Sequence, residues 1–302
     1  MKKPVVAFVG LGIMGRPMAA HLVRAGYRVV GHSLEGVAKE LLDLGVEQRP
    51  SAMDAAREAD LVILMLPDTP DVEAVLFGPL GVAEGAHRGT LVIDMSTISP
   101  VATRDFARQL AQAGLRFVDA PVSGGEVGAK AASLTIMAGG SEADFAIAKP
   151  LFDLMGKNVT LVGEVGAGQI TKAANQMIVA LNIATVAEAL SLAERMGADP
   201  ARVRQALMGG FASSRVLEVH GERMIKGTFE PGFRIRLHRK DLRIIAASAE
   251  AVQQAVPLTA VCQQLMNACA ALGAEELDHS ALVKVYDALG AQAAAPAQRM
   301  AA

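Results

Sequence analysis

The chain has 302 residues, 52% hydrophobic and 20% charged, with 29 glycines and 13 prolines, a globular composition that excludes disorder over most of its length. At roughly 150 residues per domain, that length suggests about two domains with cores of ordinary size. The 29 Lys and Arg nearly balance the 31 Asp and Glu, so no global field draws the chain to nucleic acid or an anionic membrane, and Cys262 and Cys269 lie too far from any His/Cys cluster to suggest a disulfide scaffold or a zinc site.

The amino-terminal apolar run is too short for a signal peptide and passes directly into glycines, so it reads as a first strand. Short β-branched runs predict strands at Val5 to Val9, Arg28 to Gly31, Leu61 to Leu64, Leu91 to Asp94, Arg116 to Asp119, Leu134 to Ala138 and Val159 to Leu161. Helical spacing falls between them at Arg16 to Ala25, Leu34 to Leu44, Ala52 to Ala59 and Val101 to Ala113. This alternation predicts a largely parallel, Rossmann-like α/β sheet with its ligand beyond the carboxyl ends of the strands.

After Gly168 the period becomes helical. A long helix is expected from Ile170 to Met196, and Asp199-Pro200 is expected to cap the next one. Further helices are expected at Ser214 to Lys226, Leu237 to Ala255, Leu258 to Leu272 and His279 to Leu289. Within Met177 to Met196, Asn182, Glu188, Glu194 and Arg195 favour a buried helix over a membrane span. The expected division is a dinucleotide-binding domain over 1–165, a joining helix over 166–196, an all-helical substrate and oligomerisation domain over 197–290, and a flexible Ala-rich tail over 291–302. The apolar stretch from Ile178 to Ala193 predicts a homo-oligomer, dimer or tetramer, and the reduced cysteines suggest a cytoplasmic protein.

The strongest short motif is Gly10-Leu11-Gly12-Ile13-Met14-Gly15, between a strand and a helix. Its glycines suit a tight turn, close approach of a pyrophosphate and close helix packing, with free N–H groups at the helix start meeting the phosphate charge. The second strand ends at Gly31-His32-Ser33 without the acid that would bind a ribose and repel a 2'-phosphate, which leaves NAD(H) and NADP(H) both open. Leu66 and Pro67 after the third strand, and Ser96 and Thr97 after the fourth, are the further expected cofactor contacts. Helix capping is the structural alternative for these hydroxyl- and proline-containing loops.

The glycine motif extends through Arg16-Pro17-Met18-Ala19. With Asp119-Ala120-Pro121-Val122-Ser123-Gly124-Gly125, Gly166-Ala167-Gly168-Gln169-Ile170-Thr171-Lys172-Ala173-Ala174-Asn175-Gln176 and Lys240-Asp241-Leu242, it resembles the β-hydroxyacid dehydrogenase family across nearly the whole chain. The stretches Gly209 to Ser214, Leu217 to Met224 and Asp278 to Ala281 look like the branch that reduces 2-hydroxy-3-oxopropanoate to D-glycerate. The resemblance implies Lys172 and Asn175 as catalytic residues, and Ser123, Gly124, Gly125, Gln176 and Lys240 as substrate contacts, with Lys240 also reaching the cofactor. No metal is implied, and the substrate is a small semialdehyde or hydroxy acid.

The chemistry gives an independent reason for Lys172, because hydride addition builds negative charge on a carbonyl oxygen that an ammonium group can stabilise and protonate. Asn175, three residues on, shares a helix face with it. His21 stands where the family commonly has Asn, so it must replace or abandon that contact. The rival readings are a 3-hydroxyisobutyrate dehydrogenase or broader short-chain semialdehyde reductase, and a noncatalytic nucleotide-responsive binding protein.

Overall fold

The computed structural model describes residues 3–291. The chain divides into two compact units, Met1–Ala173 and Ala174–Ala302. The tail expected at 291–302 lies outside the described residues, apart from Ala291.

The first unit holds nine strands among the described residues: β1 Val6–Val9, β2 Val29–His32, β3 Glu47–Gln48, β4 Leu61–Leu64, β5 Leu91–Asp94, β6 Arg116–Asp119, β7 Val122–Ser123, β8 Leu134–Gly139 and β9 Gly156–Gly163. They form one sheet in the order β3-β2-β1-β4-β5-β6-β8-β7, with β9 also paired to β8. The pairs from β3 to β6 are parallel, whereas β8 runs antiparallel to β6 and β7. Alternation along the strands separates two apolar layers. Phe8, Ile63 and Ile93 enter one core with Met18, Leu22 and Phe152, while Val9, Val62 and Leu64 enter the other with Leu76, Phe106 and Leu110.

Eight helices of this unit connect the strands: α1 Gly15–Arg24, α2 Lys39–Leu44, α3 Ala52–Arg57, α4 Thr69–Phe77, α5 Val82–Gly85, α6 Pro100–Gln112, α7 Gly125–Lys130 and α8 Glu142–Met155. Strand register aligns Val9 with His32 and Leu64, Leu64 with Asp94, and Asp94 with Asp119. The segments following five strands therefore leave the sheet at one edge, the place where open α/β sheets receive ligands.

Three local readings change. The helix expected from Leu34 begins only at Lys39, because Gly36 has φ +79° and its N–H closes a turn on Ser33. Helices α4 and α8 go beyond the expected elements. Pro70 sits in the first turn of α4, where a missing N–H costs nothing, behind a reciprocal capping box of Asp68 and Asp71. Pro150 lies inside α8 and reads as a breaker in isolation.

Helix α9, Ala167–Arg195, is one continuous element of 29 residues. After it come α10 Pro200–Leu207, α11 Arg215–Lys226, α12 Ile235–Ala251, α13 Pro257–Ala271, a 3-10 turn His279–Leu282 and α14 Val283–Ala291. Asp199 caps α10 with Pro200 in its first turn, as the sequence predicts. The second unit is helical, and Leu217, Met224, Ile235, Leu242, Ile245, Cys262, Met266 and Cys269 are among its buried residues.

By length and composition alone, α9 is apolar enough to cross a membrane, its most apolar stretch having a mean hydropathy of 1.5. Core helices of soluble proteins share that property. The stretch is 39% buried, less than the expected buried helix, and Ile178 and Leu192 of α9 face outward at 63% and 59% exposure.

Candidate active site

Three glycines after β1 do separate work. Gly10 has φ +95°, and a Cβ there would lie 2.3 Å from the carbonyl oxygen of Met65. A Cβ on Gly15 would lie 1.9 Å from the carbonyl oxygen of Gly10, so this glycine brings α1 against the turn. A Cβ on Gly12 would meet nothing within 4 Å, so packing within the chain does not require glycine there. Close approach of a bound group does. Met14 precedes α1 without a side-chain cap, which leaves the helix N–H groups suited to a phosphate. Ile13 is exposed at this turn, whereas Leu11 is buried in the core and offers a ligand only its backbone.

At the end of β2, His32 Nδ1 donates to the carbonyl of Arg49 at 3.2 Å, and Ser33 opens the turn to Gly36. Arg28, just before β2, points elsewhere, binding Glu47 and Glu58. Arg49 binds the same two acids. Hydrogen bonds from Arg28 and Arg49 hold Glu47 down at about 2, and those from Arg49 and Arg28 do the same for Glu58.

A buried brace joins the segments after β4, β5 and β6 to the start of α9. Ser96 is fully buried and its hydroxyl accepts the Leu66 N–H at 2.9 Å. That hydroxyl holds two loops together, which leaves Thr97 as the less buried hydroxyl of the pair. Gln169 donates to the Ser96 carbonyl at 2.7 Å and accepts from the Ile98 N–H at 3.1 Å. The Asp119 carboxylate accepts the N–H groups of Gly166 at 2.7 Å and Gln169 at 2.8 Å. Burial pushes the Asp119 carboxyl up to about 6, against those backbone hydrogen bonds. Three residues past Gln169, Lys172 is buried at 6% exposure. A solvated helix-start lysine would not be, so this side chain is withdrawn from bulk water.

Ser123 ends β7, and Gly124 and Gly125 follow with φ +130° and +59°. This left-handed pair turns the chain into α7 at low steric cost. His21 meets this region, its Nε2 donating to the Ala129 carbonyl at 2.9 Å, so histidine makes a contact here and does not abandon one.

In the second unit, Asn175 donates to the Gln176 side chain at 2.8 Å, and Gln176 donates to Asp241 Oδ2. Lys240 pairs with Asp241 Oδ1 at 2.9 Å, both side chains nearly buried. Asp241 thus orients Lys240, and Gln176 and Lys240 meet on one carboxylate. The sequence reading did not anticipate the bracing roles of Asp119 and Gln169. Their only signal was a place inside the Asp119 and Gly166–Gln176 motifs. It also missed a cluster of His220, His238 and His279, which three separate elements bring together.

Residues 5–163 match the NAD binding domain of 6-phosphogluconate dehydrogenase, and residues 166–286 match the NAD-binding region of NADP-dependent 3-hydroxyisobutyrate dehydrogenase. The chain is 55% identical to 2-hydroxy-3-oxopropionate reductase of Escherichia coli, over 93% of this chain and 97% of that one. It belongs to the β-hydroxyacid dehydrogenase family. A 3-hydroxyisobutyrate dehydrogenase of Pseudomonas aeruginosa is 37% identical over 93% of this chain and 98% of its own length. The solved structure of Mycobacterium tuberculosis 3-hydroxyisobutyrate dehydrogenase with L-serine superposes with a TM-score of 0.86 at 32% identity, covering 94% of this chain and 99% of that one. The chain is therefore an oxidoreductase of the NAD(P)-dependent hydroxyacid dehydrogenases, with a Rossmann-like unit followed by a helical one. The open side of Gly12 and the uncapped start of α1 fit its dinucleotide.

Proposed function

We propose that this dehydrogenase reduces 2-hydroxy-3-oxopropanoate (tartronate semialdehyde) reversibly to D-glycerate with NADH or NADPH. The observation that carries the chemistry is the buried Lys172, on a helix whose start is pinned by Asp119 and Gln169. The 55% identity to the Escherichia coli enzyme supports the choice of substrate.

The reduced nicotinamide, when bound, supplies the hydride to the aldehyde carbon. Gly10, Gly12 and Gly15, with the backbone of Leu11, Ile13 and Met14, bind the pyrophosphate. His32 and Ser33 face the adenosine ribose, and Leu66, Pro67, Ser96 and Thr97 build the wall after β4 and β5. Ser123, Gly124 and Gly125 receive the substrate carboxylate through a hydroxyl and closely approachable backbone. Lys172 Nζ stabilises the developing alkoxide and donates the proton that completes the alcohol; in oxidation the same nitrogen, neutral, takes that proton back. Asn175 orients the reacting oxygen, Gln176 assists through its amide, and Lys240 adds positive charge toward substrate and cofactor.

In this division of labour, residues 1–165 bind the dinucleotide, 166–196 carry the proton donor, and 197–290 serve substrate selection and assembly. The outward Ile178 and Leu192, fourteen residues apart and so on one side of α9, support a homo-oligomer. Light scattering that finds a monomer at working concentrations refutes it. We place the enzyme in the cytoplasm.

Initial rates with tartronate semialdehyde and methylmalonate semialdehyde, each with NADH and NADPH, test the substrate. A site that reads a hydroxyl discriminates strongly against the methyl analogue. Equal efficiency would sink the narrow assignment and favour a broader short-chain semialdehyde reductase, and preference for the methyl analogue would favour the 3-hydroxyisobutyrate reading, which the match over 166–286 supports. Lys172→Met should lower kcat by about 10²–10⁴ with cofactor affinity intact. Unchanged turnover removes Lys172 from the chemistry, and absence of turnover with any semialdehyde favours a nucleotide-responsive binding protein.

A further inference from the structure

Three imidazoles from three elements stand in a row inside the second unit. His238 of α12 lies with Nε2 3.2 Å from the Gln176 carbonyl and Nδ1 3.0 Å from His279 Nδ1. His279, on the 3-10 turn, lies with Nε2 3.1 Å from His220 Nε2. His220 of α11 turns Nδ1 to Asp278 Oδ1 at 3.5 Å. His238 and His279 are buried, with Phe233 edge-on to both.

Counting protons fixes the direction of the row. A carbonyl oxygen only accepts, so His238 carries its proton on Nε2, and its Nδ1, as a neutral ring, must accept. His279 then donates from Nδ1 and accepts at Nε2. His220 donates from Nε2. Three ring protons, one on each imidazole, satisfy the row from His220 to the Gln176 carbonyl. Burial alone would raise the Asp278 carboxyl, yet its neighbours His220, His279 and Ser280 hold it well below the usual carboxylate range. His279 is driven the other way, its basicity lowered by burial and then by its neighbours His238 and His220.

The row ends on a residue that α12 holds twice. His238 binds the Gln176 main-chain carbonyl, and Asp241, three residues later on the same helix, binds the Gln176 side chain. Gln176 in turn accepts from Asn175. We propose that His220, His279 and His238 are positioning residues, a directional chain of ring N–H bonds, ending on the Gln176 carbonyl, that fixes the turn of α9 bearing Asn175. The inference rests on the catalytic reading of Asn175 given above.

A bound cation would also bring two imidazole nitrogens to about 3 Å, and His220, Asp278 and His279 offer ligand-type atoms within 4.8 Å of one another. The oxygens of Asp278 are already engaged. Oδ2 accepts Gly232 N–H, Phe233 N–H and Arg223, and Oδ1 accepts both the N–H and the hydroxyl of Ser280. The guanidinium of Arg223, 2.8 Å from that carboxylate, opposes a second positive centre. Ring N–H bonds fit these partners better than a metal.

Long-range 1H–15N correlation on the histidine-labelled full chain at about pH 7 reads each ring directly. The rings are assigned through single His→Gln variants. The expected pattern is a proton on Nε2 of His238, on Nδ1 of His279 and on Nε2 of His220; any other tautomer at His238 or His279, or a His220 without a proton on Nε2, overturns the proposal. Stoichiometric Zn2+ should leave the three rings unmoved, whereas loss of their N–H signals assigns the cluster to a cation and also overturns it. In kinetics, His238→Phe should lower kcat about tenfold without moving the cofactor KM, the scale of one lost hydrogen bond. His238→Gln, which keeps an N–H donor near the Nε2 position, should restore most of that loss. Equal rates for the two variants overturn the positioning role, and the NMR pattern stands or falls independently of which semialdehyde is the substrate.

Discussion

The carboxylate of Asp119 accepts the backbone N–H of Gln169, so the last residue of β6 holds the first turn of the helix that carries Lys172. The buried carboxyl, raised to about 6 from an ordinary 3.8, gives this contact a pH signature. Because the folded group keeps its proton to higher pH than the unfolded one, its contribution to stability is full below about pH 4 and lost as pH rises through about 6. Asp119→Asn should abolish that slope. It should also destabilise at every pH, because an amide NH2 cannot accept one of the two N–H groups. The penalty, about 1–3 kcal/mol, should be largest near pH 4 and smaller above pH 6. Urea unfolding across that range reads both effects.

Gln169→Leu keeps the volume but strands two buried backbone groups, the Ser96 carbonyl and the Ile98 N–H. A loss of about 2–4 kcal/mol is expected, together with a fall in kcat as the start of α9 loosens. Chemical denaturation and steady-state rates on one preparation check it.

The glycine turn separates folding from binding. Gly15→Ala drives a methyl into the Gly10 carbonyl and should give little soluble protein or a strongly lowered Tm. Gly12→Ala meets nothing within the chain and should melt within a few degrees of wild type, yet lose cofactor affinity by tenfold or more on the order of one displaced phosphate contact. Calorimetry and cofactor fluorescence titration distinguish the two.

Lys240→Met should destabilise by roughly 3 kcal/mol, because it leaves the buried Asp241 carboxylate without its cation. The double variant with Asp241→Asn should recover much of that loss. Additive losses in a denaturant cycle would show that the pair is not coupled.

Burial pushes both the Cys262 and Cys269 thiols up to about 11. Native protein at about pH 8 should therefore resist a thiol reagent, and denatured protein should react at both cysteines. Rapid labelling of the native form would contradict the burial.

The sequence made β1, the glycine turn and α1 readable, because a strand period, three glycines and a helix period meet within twenty residues. It also placed the capped start of α10, where Asp199 and Pro200 act locally. Helices α4 and α8 escaped, since proline signals an interruption until its place in the first turn, or its tolerance by packing, is known. Strand β3 is two residues long and carries no period of its own. At the candidate site, Lys172, Asn175 and the Ser123–Gly125 turn came from motifs. The braces did not, because Asp119 meets Gly166 and Gln169 across some fifty residues of chain. The imidazole row was hidden for the same reason, its rings arriving from α11, α12 and the 3-10 turn.

The brace around Gln169 draws its members from the segments after β4, β5 and β6, with none from the turn after β2. The residues that brace the proposed proton donor thus differ from residues 32–36, which meet the glycine turn, where the His32 carbonyl accepts the Gly10 N–H. Substitutions in that turn can accumulate, by drift or by design, without loosening the catalytic helix. On the proposed ribose-facing role of His32 and Ser33, selectivity between phosphorylated and unphosphorylated cofactor can change hands in this scaffold while turnover is conserved.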